Sequence, residues 1–274
     1  MKGIKFTKMQ ASGNDFVIIE GPLPYDLSSK SIQKICDRIY GIGADGILLL
    51  EKSKEADARM RIFNADGSEA EMCGNGARCA ALYLGCQSKA RNLSLQTKAG
   101  IIEAELLGQY VKIKLTDPVD LKLGMKIRAL GRDYEVDYLN TGVPHAVIEV
   151  LNLNSIPVKE LGRAIRHHEI FKPGGTNVDF FKAINKDHIS VRTYERGVED
   201  ETMACGTGSV AAAIIAFLNC CGEPQKHPGR EHKIFVKTKG REVLAVYFKF
   251  SKKKITDVWL EGKARVVFSG EYFL

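Results

Sequence analysis

The 274-residue chain carries one tryptophan, eight prolines and no run of apolar residues long enough to cross a bilayer. A membrane helix needs about 20 such residues in succession, so no membrane partner is expected. The opening Met1-Lys2-Gly3-Ile4-Lys5-Phe6-Thr7-Lys8 lacks the apolar core of a secretory signal, which makes the cytoplasm the expected compartment. Cysteine patterning is also missing. The seven cysteines are odd in number and nowhere spaced C-x-x-C, which argues against both a secreted disulfide framework and a zinc knuckle. No metal and reduced thiols are the expectation, with adjacent Cys220 and Cys221 read as buried. Charge imbalance is modest, 40 basic against 33 acidic residues, interspersed and without an aromatic-basic platform, so no nucleic acid is expected either. Lys252-Lys253-Lys254 reads as a solvated hairpin turn. Gly41-Ile42-Gly43-Ala44-Asp45-Gly46 fits GxGxxG in letters. A dinucleotide fingerprint needs a strand before it and a helix after it, and here the helix comes first.

What is present is a repeat. Cys73-Gly74-Asn75-Gly76 with Ala80-Ala81-Leu82 matches Cys205-Gly206-Thr207-Gly208 with Ala212-Ala213-Ile214 at a shift of 132. Arg61-Ile62-Phe63-Asn64 matches Arg192-Thr193-Tyr194-Glu195 at a shift of 131. Gly13-Asn14-Asp15-Phe16-Val17 faces Gly142-Val143-Pro144-His145-Ala146-Val147, and Gly41 to Asp45 faces Gly174 to Val178. Several matches in one order at nearly one shift predict two similar domains, with a boundary near Thr116-Asp117-Pro118. Related domains commonly enclose a small ligand in a cleft.

Apolar and β-branched runs predict strands over Ile4–Met9, Phe16–Glu20, Gly46–Leu50, Met60–Phe63, Leu93–Thr97, Ile101–Leu107 and Val111–Leu115. The second half predicts strands over Val178–Ala183, Ile189–Tyr194, Ile234–Thr238, Val243–Phe250 and Ile255–Leu260. A helix capped by Ser28 and Ser29 should present Ile32, Ile35, Cys36 and Ile39 on one face and stop at Gly41. Helices over Ala77–Leu84 and about Gly208–Leu218 are apolar nearly all round, which places each at a domain centre with strands wrapped about it.

Each cysteine of the repeat thus precedes a buried helix. Unsatisfied N–H groups and the positive end of the dipole gather there. A thiol at that place should ionise more readily than its reference value, and a carboxylate can lie on the N–H groups of Gly74, Asn75, Gly206 and Thr207. Either cysteine alone reads as a small packing residue. Two in equivalent places of a duplicated motif instead suggest a thiolate and a thiol on opposite faces of one α-carbon, a scheme that needs no cofactor.

These residues resemble diaminopimelate epimerase over essentially the whole chain. The matching segments include Gly13-Asn14-Asp15-Phe16, Asn64-Ala65-Asp66-Gly67-Ser68, Cys73-Gly74-Asn75-Gly76-Ala77-Arg78, Pro144-His145, Asn177-Val178-Asp179-Phe180, Glu195-Arg196-Gly197 and Glu201 through Gly208. The resemblance implies interconversion of LL- and meso-2,6-diaminopimelate in lysine and peptidoglycan-precursor synthesis. It implies an α+β fold of two pseudo-symmetric domains, each a mostly antiparallel barrel-like sheet around a central helix. The expected domains are residues 1–116, joined by 262–274, and residues 117–261. Carried over residue by residue, Cys73 and Cys205 are the base and acid. Asn14, Asn64, Gly74, Asn75, Asn177, Glu195, Arg196, Gly206 and Thr207 contact substrate, and His145 supports the site. A homodimer is left open. The chain departs from the family pattern at Val143, where many members have Asn before Pro-His, and at Gly46, where some have Gln. The stretch from Gly197 to Cys205 is one residue longer than in some members. Rival readings are a proline-type racemase, which has no second carboxylate for Arg196 to hold, a phenazine-type isomerase lacking the cysteine pair, and a non-catalytic amino-acid-binding module.

Overall fold

A computed structural model of the chain describes residues 3–22, 27–221, 229–251 and 254–273. The chain divides into two compact units, residues 1–113 with 261–274, and residues 114–260. Among the described residues no helix is long and apolar enough to cross a membrane.

The first unit contains β1 (Ile4–Ala11), β2 (Asn14–Glu20), α1 (Ser29–Cys36), β3 (Gly46–Glu51), β4 (Ala58–Asn64), β5 (Glu69–Ala70), α2 (Gly74–Ser88), β6 (Asn92–Thr97), β7 (Gly100–Leu107) and β8 (Tyr110–Lys114). The second contains β9 (Val119–Ala129), β10 (Arg132–Asn140), β11 (Pro144–Glu149), α3 (Val158–Arg166), β12 (Asn177–Asn185), β13 (His188–Glu195) and β14 (Asp200–Thr202). It continues through α4 (Gly206–Cys221), β15 (Glu231–Lys237), β16 (Val243–Ser251) and β17 (Lys254–Lys263). The chain then returns to the first unit as β18 (Arg265–Tyr272), antiparallel to β1.

Strand pairing repeats between the units. β1–β2 is antiparallel, β2–β3 parallel, β3–β4 and β4–β5 antiparallel, β4–β6 parallel and β6–β7 antiparallel. β10–β11, β11–β12, β12–β13, β13–β14, β13–β15 and β15–β16 follow in the same order and the same sense. The place that β18 takes beside β1 is taken beside β10 by β9. That hairpin turns at Leu130 and Gly131, both at positive φ, the backbone that matches strand twist in a two-residue turn. Within the first unit α2 packs against β1, β2, β3, β4, β6, β7 and β18. Within the second, α4 packs against β10, β11, β12, β13, β15 and β16. Small residues make this possible: Ala77, Ala80 and Ala81, and Ala211, Ala212 and Ala213, are fully buried, so strands approach on every side. The fold is α+β, two units each with a mixed, mostly antiparallel sheet about a central helix.

The first helix is shorter than its apolar spacing predicts. The Ser28 hydroxyl accepts the Ser31 N–H at 3.2 Å, and Ile32, Ile35 and Cys36 are buried. Beyond Cys36, the Asp37 carboxylate accepts the N–H groups of Ile39 and Tyr40, each at 2.7 Å. This side-chain turn outcompetes the next helical turn and leaves Ile39 83% exposed. The helix therefore ends ahead of Gly41. The GxGxxG lookalike falls between α1 and β3, with the helix first. Cys220 is exposed, not buried as its apolar neighbours suggest, because it lies in the last turn of α4. The side chain of Cys221 and most of the lysine triplet, Lys252 and Lys253, lie outside the described residues; Lys254 opens β17.

Candidate active site

In the first unit β4 and β5 form a hairpin that delivers the chain to Cys73, the N-cap of α2. Its Sγ accepts the Gly76 N–H at 3.5 Å. A side chain at Gly74 would meet only Ile113 and Met72, at ordinary contact distances of 3.4 and 3.9 Å. Asn75 is buried, with its Oδ1 taken by the fully buried Arg78 guanidinium, which also donates to Ser12 Oγ at 2.7 Å. Asn64 ends β4 and donates to Ser68 Oγ at 2.9 Å. Asn14 opens β2, and its Oδ1 is a buried acceptor without a hydrogen-bond partner among the described residues. Such an acceptor costs about 1–3 kcal/mol unless something donates to it.

In the second unit the β13–β14 hairpin leads to Cys205, which is buried. Its Sγ accepts the Gly208 N–H at 3.4 Å and lies 3.4 Å from the Thr207 hydroxyl. Contrary to the expectation of easy ionisation, this thiol is held well above its ordinary value. Burial is the main cause, with the carboxylates of Glu195 and Asp179 adding to it; the Thr207 hydroxyl and Gly208 N–H act only in the other direction. Desolvation penalises a buried thiolate more than one helix start repays. Burial also raises the carboxyl of Glu195, the last residue of β13. Asn177 opens β12 and is nine-tenths or more buried, its Nδ2 donating to the Pro144 carbonyl at 3.1 Å and its Oδ1 accepting the Arg196 N–H at 2.8 Å. The Arg196 guanidinium donates to the Gly174 carbonyl at 3.3 Å.

His145, on β11, is fully buried with Nδ1 2.6 Å from Asp179 Oδ2. In a contact this short to a carboxylate the ring Nδ1–H is the donor. The ring Nε2 is buried and unpartnered among the described residues. The second Asp179 oxygen accepts the Thr193 hydroxyl at 2.6 Å.

The structure thus groups the predicted residues by unit: Cys73, Gly74 and Asn75 at one helix start, and Cys205, Gly206, Thr207 and Glu195 about the other. Asn177 and Arg196 are joined by a hydrogen bond, and His145 is anchored through Asp179. Sequence reasoning did not single out Asp179 or Thr193. It also passed over two bidentate arginine–glutamate pairs, Arg61 with Glu69 and Arg192 with Glu201, although both arginines already stood aligned in the repeat. Among the described residues no cluster of His, Cys, Asp and Glu is arranged to hold a metal ion.

Comparison with known proteins agrees across the chain. The sequence profile of the family described as diaminopimelate epimerase matches residues 6–120 and 138–249. A diaminopimelate epimerase of Aquifex aeolicus is 40% identical over 281 residues, covering 97% of each chain. One from Archaeoglobus fulgidus is 44% identical over 230 residues, covering 78% of this chain and 81% of that one. Among solved structures, a PhzF-family phenazine biosynthesis protein of Bacillus anthracis superposes with a TM-score of 0.73 at 19% identity, covering 100% of both chains. A hydroxyproline epimerase of Agrobacterium vitis superposes with a TM-score of 0.70 at 16% identity, covering 99% of this chain and 91% of that one. At such identities these two structures establish a shared fold only.

Proposed function

This chain belongs to the diaminopimelate epimerase family, an isomerase of amino acids, and on that premise we propose that it interconverts LL- and meso-2,6-diaminopimelate by proton transfer between Cys73 and Cys205. One sulfur, as thiolate, takes the α-proton from one face of the stereocentre. The other, as thiol, returns a proton to the opposite face, and the two roles exchange in the reverse direction. Because each proton state belongs to the pair, their titration is a property of the pair. The charge left on the α-carbon spreads into the carboxylate, where the helix-start N–H groups of Gly74, Asn75, Gly206 and Thr207 stabilise it. Arg196, a natural bidentate partner for a carboxylate, holds the distal end of the substrate together with Asn14, Asn64 and Asn177. Glu195 contacts the substrate, and His145 supports the site. The product serves lysine and peptidoglycan-precursor synthesis, and the setting is the cytosol.

The observation that carries this reading is the paired cysteine turn: each thiol accepts an N–H three residues on, at the start of the central helix of its own unit. The test is proton NMR of LL-diaminopimelate in D2O with reductant and no added cofactor. We expect enzyme-dependent loss of one α-proton signal as the meso isomer forms, reduced roughly 1,000-fold or more in both Cys73→Ala and Cys205→Ala. Formation of the meso isomer that survives in either variant would refute the two-thiol mechanism. Racemisation of proline in place of diaminopimelate would keep the mechanism and change the substrate.

A further inference from the structure

Four residues ahead of each cysteine stands a glutamate with the same two cations about it. In the first unit, Arg61 on β4 donates from Nε to Glu69 Oε1 at 2.9 Å and from Nη2 to Oε2 at 3.2 Å. Lys98, just past β6, closes the group with Nζ 2.8 Å from Glu69 Oε2. In the second, Arg192 on β13 donates from Nε to Glu201 Oε1 at 2.6 Å and from Nη2 to Oε2 at 2.9 Å. Lys239, just past β15, closes it with Nζ 2.9 Å from Glu201 Oε2. The register is equivalent, since Phe63 faces Glu69 as Tyr194 faces Glu201.

We infer that these two triads are positioning devices for the catalytic thiols, each fixing the direction in which its hairpin presents one cysteine to the helix start. A planar guanidinium and a carboxylate joined by two parallel hydrogen bonds resist both rotation and sliding. Neither β5, two residues long, nor β14, three, has ladder enough to be rigid alone. The triad ties each short strand to the longer strand beside it and, through the lysine, to the end of the next strand in the sheet. In the second unit the Gly240 N–H also donates to the carbonyl of Met203 at 2.8 Å, two residues before Cys205, so the Lys239 turn holds the same segment by its backbone. Arg192 donates further to the carbonyls of Leu153 and Ile156 at 2.9 and 3.2 Å, which anchors the fork from behind. The glutamates are largely shielded, with side chains 18% and 10% exposed, and Arg61 holds the Glu69 carboxyl down at about 2. Burial works against the charge on Glu201, yet Arg192 and Lys239 hold its carboxyl below the ordinary glutamate value, so both glutamates stay ionised across the working range. A displacement of a reacting atom by about 1 Å costs up to roughly 100-fold in rate, which is the scale on which these triads act.

This inference rests on the two-thiol reading for its effect on turnover, while its structural content is tested without it. Glu69→Gln and Glu201→Gln each remove one charge and one oxygen of the fork. Lys98→Met and Lys239→Met leave both forks intact and serve if a glutamine variant folds poorly. For each variant the readouts are the melting temperature, kcat and KM, and the iodoacetamide alkylation rates of Cys73 and Cys205 resolved by peptide mass. We expect kcat to fall roughly 10- to 100-fold with KM within about twofold. The alkylation rate should change at Cys205 alone in the Glu201 and Lys239 variants, and at Cys73 alone in those of Glu69 and Lys98. A fall in melting temperature with kcat and both alkylation rates unchanged would overturn the inference, as would equal changes at both thiols. A wild-type protein that does not epimerise diaminopimelate would defeat the functional reading, and the side-specific alkylation pattern would still decide the positioning role.

Discussion

The two helix starts are built alike and furnished differently. Where the first unit places Phe16, Leu48 and Ile62, all buried, the second places His145, Asp179 and Thr193. The registers leave no ambiguity: Phe16 faces Gly46 as His145 faces Asn177, and Leu48 faces Ile62 as Asp179 faces Thr193. An apolar triplet in one unit is a hydrogen-bonded histidine, carboxylate and hydroxyl in the other. Leu48 lies under Gly76 and Asp179 under Gly208, each glycine the third residue after its cysteine. Features shared by the units are what the fold and the presentation of a cysteine require: the pairing pattern and the small-residue helix for the first, the arginine–glutamate–lysine triads for the second. Where they differ, a buried polar group has replaced one that would have cost nothing to bury. Such a group is expensive unless it is paired, so the difference marks the half in which the thiol's electrostatics are set, and Cys205 is the thiol that burial holds protonated with Glu195 and Asp179 adding to it.

The strongest way to break the comparison is to add one methyl group on each side. A Cβ at Gly208 would lie 2.2 Å from Asp179 Oδ1, whose carboxylate is fixed by His145 and Thr193. A Cβ at Gly76 would lie 3.0 Å from Leu48 Cδ2, the movable end of a flexible side chain. Gly208→Ala should cost about 3 kcal/mol or more by overpacking and by unseating the buried carboxylate. Gly76→Ala should cost about 1 kcal/mol or less. Urea midpoints of the two variants measure the difference, and equal losses would mean that Asp179 is not rigidly held.

The first unit has its own buried charge in a different place. Lys8 Nζ is 2.7 Å from Asp15 and also donates to the Gly43 carbonyl, while Arg38 bridges Asp15 and Asp45 at 2.9 and 2.7 Å. The equivalent positions of Lys8 and Asp15 in the second unit are Tyr138 and Pro144, so no counterpart can form. Burial works against the charge on Asp15, yet the hydrogen bonds from Arg38 and Lys8 hold its carboxyl well below the usual aspartate range. A depressed carboxyl stabilises the fold above the ordinary aspartate value of about 3.9 and loses that contribution as pH falls toward the folded value. Asp15→Asn should therefore cost roughly 2–3 kcal/mol at pH 7, and its gap from the wild type should narrow by pH 3. Denaturation at the two pH values measures this, and a gap of the same size at both would refute it.

The repeat was legible because the residues that make it, Cys-Gly-x-Gly and Arg-x-aromatic, are spaced by the fold itself. Strand cores such as Ile47-Leu48-Leu49-Leu50 and the alanine-rich helices were legible from apolar patterning alone. Strand β9 was not, because its residues Val119–Ala129 are mostly exposed and carry little burial signal. Helix α3 went unseen for a related reason: it is short, opens without a side-chain cap and buries only Val158, Leu161, Gly162 and Ile165. The end of α1 was misjudged because Asp37 competes for backbone N–H groups, a local choice that hydrophobic spacing cannot register. At the site, residue types predicted which groups take part but not their surroundings. The helix start argued for an easily ionised Cys205, and only its three-dimensional surroundings reverse that, burial first and then the carboxylates of Glu195 and Asp179. The repeat already set Ile62 against Thr193, and carrying the same shift of 131 to Leu48 and Asp179 would have exposed the polar replacement, since a carboxylate in a strand otherwise buried is the signal.

The finest test of the asymmetry exchanges charge at one more equivalent pair, Glu195 in the second unit and Asn64 in the first, the final residues of β13 and β4. Removing a negative charge from beside Cys205 stabilises its thiolate, so Glu195→Gln lowers the thiol's ionisation range and speeds alkylation at any fixed pH below it. At pH 8 the rate at Cys205 should rise roughly 3- to 10-fold, the effect of about half to one pKa unit. Placing a charge at the other position, Asn64→Glu, should slow Cys73 by only about twofold, because Asn64 is exposed and water and salt screen what is put there. Iodoacetamide rates at the two cysteines between pH 7 and pH 10 read both effects from one set of samples. If Glu195→Gln leaves Cys205 unchanged or slows it, Glu195 has no part in distinguishing the two sulfurs, and burial with Asp179 holds that thiol protonated.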